Sequence, residues 1–167
     1  MPEERHDPGA AALGGRLRRL SDRIDREAKT LYEAYDTPFE QRWLPTFNAL
    51  RGGDALSVQD LADRLGVSHV SVSVTRTALE KAGLIQSAPD GKDGRRRVLT
   101  LTDQGKALSQ QLAPLFDALN EAAIALNAEA GDAIATLARL EAALDRESLS
   151  QRVTAILQAG ETERDQD

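Results

Sequence analysis

Residues 56–105 read LSVQDLADRLGVSHVSVSVTRTALEKAGLIQSAPDGKDGRRRVLTLTDQG. Ser57 and Asp60 are spaced as a capping-box-like pair, which predicts a helix beginning after Ser57. Leu61, Ala62 and Leu65 then share a core-facing side, and Gly66 supplies a tight reversal. Ser68 is placed to cap a second helix that runs to about Ala82, where Gly83 stops it. Leu84 to Ser87 and Arg97 to Leu101 are short apolar runs separated by PDGKDGRR at 89–96, whose Gly and Asp residues suit a reversing loop, so a β-hairpin is expected. Thr102 is positioned to cap the helix that follows.

Outward from this stretch the pattern is helical. Leu13, Leu17, Leu20, Ile24, Leu31 and Tyr35, with Ala28 in the same stripe, predict an amphipathic helix of about six turns. Pro38 restarts the chain, and Phe39, Trp43 and Phe47 fall at i, i+4 and i+8 on an expected second helix that RGGD at 51–54 ends. After Thr102, the positions Leu108, Leu112, Leu115, Leu119, Ala122 and Leu126 keep four-three spacing on one long helix, which Pro114 should bend. Gly131 breaks the pattern. Ile134, Leu137, Leu140 and Leu144 form a further amphipathic segment, and Val153, Ile156 and Leu157 a final short helix. The expected division is a flexible N-terminus at 1–12, helices for dimerisation and core at 13–50, a lobe at 51–102, dimerisation helices at 103–159 and a disordered tail at 160–167. The fold class is mainly α with a small β-wing: a winged helix-turn-helix flanked by N- and C-terminal dimerisation helices.

A chain of 167 residues buries one proper core and is too short for this lobe plus a separate enzyme domain. No apolar run approaches the roughly 20 residues needed to cross a bilayer, and the acidic, Gly-rich start MPEERHDPGAAALGG lacks the form of an export signal, so no membrane partner and a cytoplasmic location are expected. The absence of cysteine excludes disulfides, thiolate metal sites and thiol redox switches. Two histidines and no constellation of base, nucleophile and orienter offer no site for catalysis, so neither an enzyme, a metal nor a cofactor is expected. Net charge is −6, yet residues 57–106 hold eight basic against six acidic side chains, leaving an acidic body with one basic face.

That face predicts the contacts to duplex DNA. On the second helix, Val72, Thr75 and Leu79 point to the core, while Val70, Ser73, Val74 and Thr77 lie opposite. Exposed valine methyls suit thymine methyls in a major groove, though scattered surface valines are common enough to leave the alternative open. Ser68, His69 and Ser71 at the helix start can donate to phosphates together with backbone N–H groups. Arg76 falls between the two faces, suited either to phosphate or to a surface ion pair. Arg95 at the hairpin tip suits a narrow minor groove, with Asp93 placed to fix its guanidinium and Lys92 and Arg96 adding charge. Arg96 and Arg97 alternate faces, so at most one of them shares the groove side with Arg95.

These residues resemble the MarR (multiple antibiotic resistance regulator) family of winged-helix transcription factors, through LADRLGVS at 61–68, LEKAGLI at 79–85, DGR at 93–95 and LTDQG at 101–105. The resemblance implies an obligate homodimer with interlocked terminal helices and two wings on successive segments of a pseudo-palindromic operator. It implies a transcriptional regulator, with a repressor expected over an activator. The leucine-rich stripes independently call for a partner, and Leu13, Leu17, Leu20, Leu112, Leu115, Leu119, Leu126, Val153 and Ile156 are the expected dimer contacts. Tyr32, Tyr35, Phe39, Trp43 and Phe47 cluster near where family members place a crevice, and are candidates for a small apolar effector as well as for the core. A winged helix used as a protein-docking module without nucleic acid is the alternative.

Overall fold

The computed structural model describes residues 9–91 and 96–164. Eight α-helices and one two-stranded antiparallel sheet make up the described chain, which divides into a unit ending at Ala113 and a unit beginning at Pro114.

In the first unit a short 3-10 turn, Gly9–Ala12, leads into α1, Leu13–Glu33. Only Ala28 and Tyr32 of α1 are buried, whereas Leu13, Leu17, Leu20, Ile24 and Leu31 stand exposed. Phe39 does not share a helix with Trp43 and Phe47, as the four-residue spacing suggested. Pro38 biases its predecessor away from the helical region, Glu40 is extended, and the chain turns helical only at the 3-10 turn Gln41–Trp43 and then α2, Leu44–Arg51. The rings meet all the same: the Phe39 centroid lies 5.1 Å from Tyr32, 5.1 Å from Phe47 and 5.7 Å from Trp43.

α3, Val58–Leu65, begins with a complete capping box in which the Ser57 hydroxyl accepts from the Asp60 N–H and the Asp60 carboxylate accepts from the Ser57 N–H. Gly66 takes the left-handed conformation, φ 64° and ψ 31°, that lets α4, His69–Lys81, start three residues later. Ser68 caps α4 by accepting from the Ser71 N–H, and Val72 and Leu79 are its buried anchors. β1, Ile85–Pro89, and β2, Arg97–Leu101, pair in the register Ile85 with Leu101 and Pro89 with Arg97. Leu56 adds a bridge to Leu99, so the segment entering α3 is hydrogen-bonded to the sheet.

Thr102 and Gly105 explain why α5, Asp103–Gln111, starts where it does. The Thr102 hydroxyl donates to the Gly83 carbonyl at 2.6 Å and accepts from the Gly105 N–H at 3.0 Å, while the Thr102 N–H donates to the Leu84 carbonyl. A Cβ on Gly105 would lie 2.0 Å from the Leu84 carbonyl oxygen, so glycine is required by close backbone approach. The core of this unit is built from Tyr32, Phe47, Leu50, Leu61, Val72, Leu79, Leu99 and Leu112, all fully buried.

The long helix expected after Thr102 is broken at Leu112, between α5 and α6, Ala113–Glu129. Pro114 accounts for this, since it lacks an N–H and its ring crowds the carbonyl four residues back. Leu112 and Leu115 are buried within the single chain, which removes both from the expected dimer contacts; Leu119 is half-buried.

In the second unit, α6 is followed by α7, Ala133–Arg146, and α8, Leu149–Arg164. α8 is longer than the short helix expected and continues past Gly160, where a frayed tail was anticipated. Asp132, itself left-handed at φ 64°, caps α7, and Asn127 accepts from the Ile134 N–H while donating to Asp132. Arg152 donates to the carbonyls of Ala143 and Glu147, satisfying the C-terminal end of α7. No residue of α7 is buried.

Candidate nucleic-acid interface

The outer side of α4 forms a shallow groove lined by His69, Val70, Ser73, Val74, Thr77, Ala78 and Lys81. Helical spacing arranges them as two adjacent ridges, polar along His69, Ser73, Thr77 and Lys81, and apolar along Val70, Val74 and Ala78. Val70 and Val74 are 72% and 64% exposed. Neither ridge carries an acid. Glu80 is turned instead to Arg76, whose Nε lies 3.6 Å from its carboxylate, so of the two roles open to Arg76 the described structure forms the surface ion pair. Ser68 and Ser71 are hydrogen-bonded to each other through their hydroxyls, and the Thr77 hydroxyl donates to the Ser73 carbonyl. Sequence reasoning missed Ala78 and Lys81, although continuing each ridge by four residues reaches both.

Lys92, Asp93 and Arg95 lie outside the described residues. Arg96 is tied back into the lobe: its Nη2 donates to the Ser57 hydroxyl at 2.9 Å and to the Asp60 carboxylate. The sequence grouped Arg96 with the groove contacts because charge alone does not reveal that a capping carboxylate sits within its reach. Arg97 stays on the hairpin, donating to the Ser87 hydroxyl and carbonyl. The Asp60 carboxyl is held below its ordinary range, first by the Ser57 N–H and next by the Ser57 hydroxyl, against an opposing effect of burial that exceeds either the hydrogen bond or the charge of Arg96 taken singly.

Tyr32, Phe39, Trp43 and Phe47 are buried against one another and leave no room among their rings; Tyr35 is half-buried beyond the end of α1. Burial pushes the Tyr32 phenol up to about 12, and its hydroxyl donates to Gln41 Oε1 at 2.6 Å. The Trp43 indole N–H is buried without a hydrogen-bond partner among the described residues. The open space lies beside this cluster, a crevice of about 610 Å³ lined by Asp25, Arg26, Lys29 and Glu33 of α1 and by residues 37–42. Of the five aromatic candidates only Phe39 reaches it. Among the described residues no group of His, Asp and Glu could hold a metal ion, and no helix is long and apolar enough to cross a membrane.

Residues 37–96, from the loop before α2 to the root of β2, match the model described as the MarR family. That segment, about a third of the chain, is similar to a MarR-family winged helix. A comparison with curated proteins gave no match. Among solved structures, the MepR–DNA complex of S. aureus is similar at 24% identity and a TM-score of 0.61, over 77% of this chain and 94% of that one. Bordetella bronchiseptica BpsR, in a structure concerning regulation of its DNA binding by 6-hydroxynicotinic acid, is similar at 24% identity and a TM-score of 0.59, over 77% of this chain and 91% of that one. Both likenesses establish the fold, and the MarR-type arrangement of α3, α4 and the β1–β2 wing is the part on which sequence and structure agree.

Proposed function

We propose that the protein is a DNA-binding transcriptional regulator, a repressor, that grips a pseudo-palindromic operator as a homodimer with α4 in the major groove and Arg95 in the minor groove. The observation that carries this reading is the uncovered, acid-free outer face of α4 on a chain of net charge −6, beside the wing. A surface meant only for water has no reason to shed its acids there, whereas a phosphate-lined groove repels them. That MepR, a protein of similar fold, was solved as a DNA complex supports the DNA-binding reading. Dimerisation is supported by the exposed leucines of α1 and by the largely uncovered apolar side chains of α6 to α8.

An effector, on this reading, enters the crevice between α1 and residues 37–42 rather than the filled aromatic cluster, and a mainly apolar lining edged by charged side chains suits a small ligand with an apolar body and an ionised group. The regulation of BpsR by 6-hydroxynicotinic acid lends that choice support.

A mobility-shift titration against the DNA upstream of the protein's own coding region tests the proposal. Binding should exceed that to scrambled DNA of equal length and should weaken steeply with salt, because each phosphate neutralised releases counterions. Equal binding to both duplexes at every salt concentration would instead favour a protein-docking module.

A further inference from the structure

The two ridges of α4 limit the kinds of base contact it can make. Bidentate reading of a purine edge calls for a guanidinium, a carboxamide or an ammonium, and the one ammonium of α4 is at its last residue, Lys81. The sequence of α4, HVSVSVTRTALEK, holds no Asn or Gln, and its one guanidinium, Arg76, faces Glu80. The hydroxyls of Ser68 and Ser71 are engaged with each other, and the proton of Thr77 is committed to the Ser73 carbonyl. His69 and Ser73 are left as polar groups able to make single contacts to phosphates or base edges, and Lys81 stands at the far end of the helix, a turn beyond Thr77. Against these stand the most exposed side chains of the groove's apolar ridge, Val70 and Val74, one helical turn apart.

We infer that the protein selects its operator mainly through the 5-methyl groups of thymines, with Val70 and Val74 as the specificity-determining residues and the polar ridge as an anchor to the backbone. The inference rests on the proposed regulator function and adds to it the chemical feature that is read. In the major groove the thymine methyl is the one apolar group that any base pair presents, and burying it against a branched aliphatic side chain removes apolar surface from water on both partners. Two valines at i and i+4 stand about 6 Å apart along the helix axis, which suits methyls on neighbouring base pairs. Sensitivity to cytosine methylation follows, since 5-methylcytosine places its methyl at the same ring position.

The test begins by selecting bound duplexes from a random-sequence pool with the full-length protein. The preferred duplex is then remade with deoxyuridine replacing single thymidines, which deletes the methyl and leaves every hydrogen-bonding group in place. One or two positions in each half-site should lose about 4-fold in affinity per uracil, the effect of one buried methyl group. The Val70→Ala, Val74→Ala double variant should bind thymine and uracil duplexes equally, at the weaker level. Both positions are exposed and alanine favours helix, so its melting temperature should match the parent's. If the protein enriches a defined duplex yet binds the uracil forms as tightly as the thymine form, the methyl inference is overturned and the regulator reading stands. If no duplex is enriched, the regulator reading falls and takes this inference with it.

Discussion

The two units of the chain use similar amounts of helix to opposite effect. In the unit ending at Ala113, an aromatic cluster and the anchors Leu50, Leu61, Leu79 and Leu99 are sealed from water, Ser57, Ser68 and Thr102 cap α3, α4 and α5, and left-handed Gly66 and Gly83 follow the ends of α3 and α4. In the unit beginning at Pro114, three helices of 17, 14 and 16 residues carry Ile124, Leu126, Ile134, Leu144, Leu149, Val153, Ile156 and Leu157 on exposed surface, and α7 buries nothing. Helices of this length gain little from propensity alone and hold together through buried faces. One unit is therefore sealed by its own side chains, and on the proposed dimer reading the exposed apolar faces of the other are covered by a partner.

Substitutions should separate the two kinds of stability. Phe47→Ala, in the aromatic cluster, should cost about 3 to 5 kcal/mol, seen as a loss in denaturant midpoint that does not vary with protein concentration. On α8, Val153→Asp with Ile156→Asp should remove roughly 1.5 to 3 kcal/mol for each side chain buried by a partner. Its signature is a shift from dimer to monomer in sedimentation, and a melting temperature that no longer rises with concentration. Equal sedimentation of variant and parent would show that α8 takes no part in dimerisation. Arg95→Ala should weaken operator binding by about 1 to 3 kcal/mol and flatten the salt dependence while leaving melting unchanged, as measured by mobility shift and calorimetry.

The smallest effect belongs to the start of α3. Ser57→Ala should cost about 0.5 to 2 kcal/mol by removing the cap and one Arg96 contact. Asp60 adds a pH signature. Its carboxyl is held below its ordinary value in the folded chain, so its contribution is present above the ordinary carboxylate range and is lost as pH falls through the lowered value. Acid titration of Asp60→Asn, followed by circular dichroism, should show a shallower loss of stability than the parent over that window.

The lobe was legible because its instructions are local. Ser57, Ser68 and Thr102 each sit three residues before the N–H they cap, and Gly66 and Gly83 take the left-handed positions that follow α3 and α4, so boundaries could be read without knowing the tertiary structure. Phe39 was misplaced because a four-residue spacing mimics a helix when a proline has already ended it; the rings converge through folding of the loop rather than along one helix face. Leu112 and Leu115 read as dimer contacts because their spacing continues that of Leu119 and Leu126, and periodicity identifies an apolar stripe without saying what covers each part of it. The pairing of Arg96 went unread for the complementary reason. Its partners Ser57 and Asp60 are 39 and 36 residues away, and no local pattern announces that pairing. The crevice at α1 was invisible in the sequence, since its lining charges look like any solvated helix face.

Trp43 and both tyrosines lie between residues 32 and 43. The chain's tryptophan and tyrosine fluorescence thus originates wholly in the unit with the sealed core, and the carboxy-terminal helices, with Phe116 their single aromatic residue, are silent under excitation of those chromophores. Heating the protein while recording emission and ellipticity together would set a signal from the first unit alone beside one from the helices of both, in one sample and without a label. Coincident curves would mean that loss of the helical unit drags the lobe with it, and an ellipticity loss that precedes the emission shift would mean that the lobe outlives the assembly that presents it.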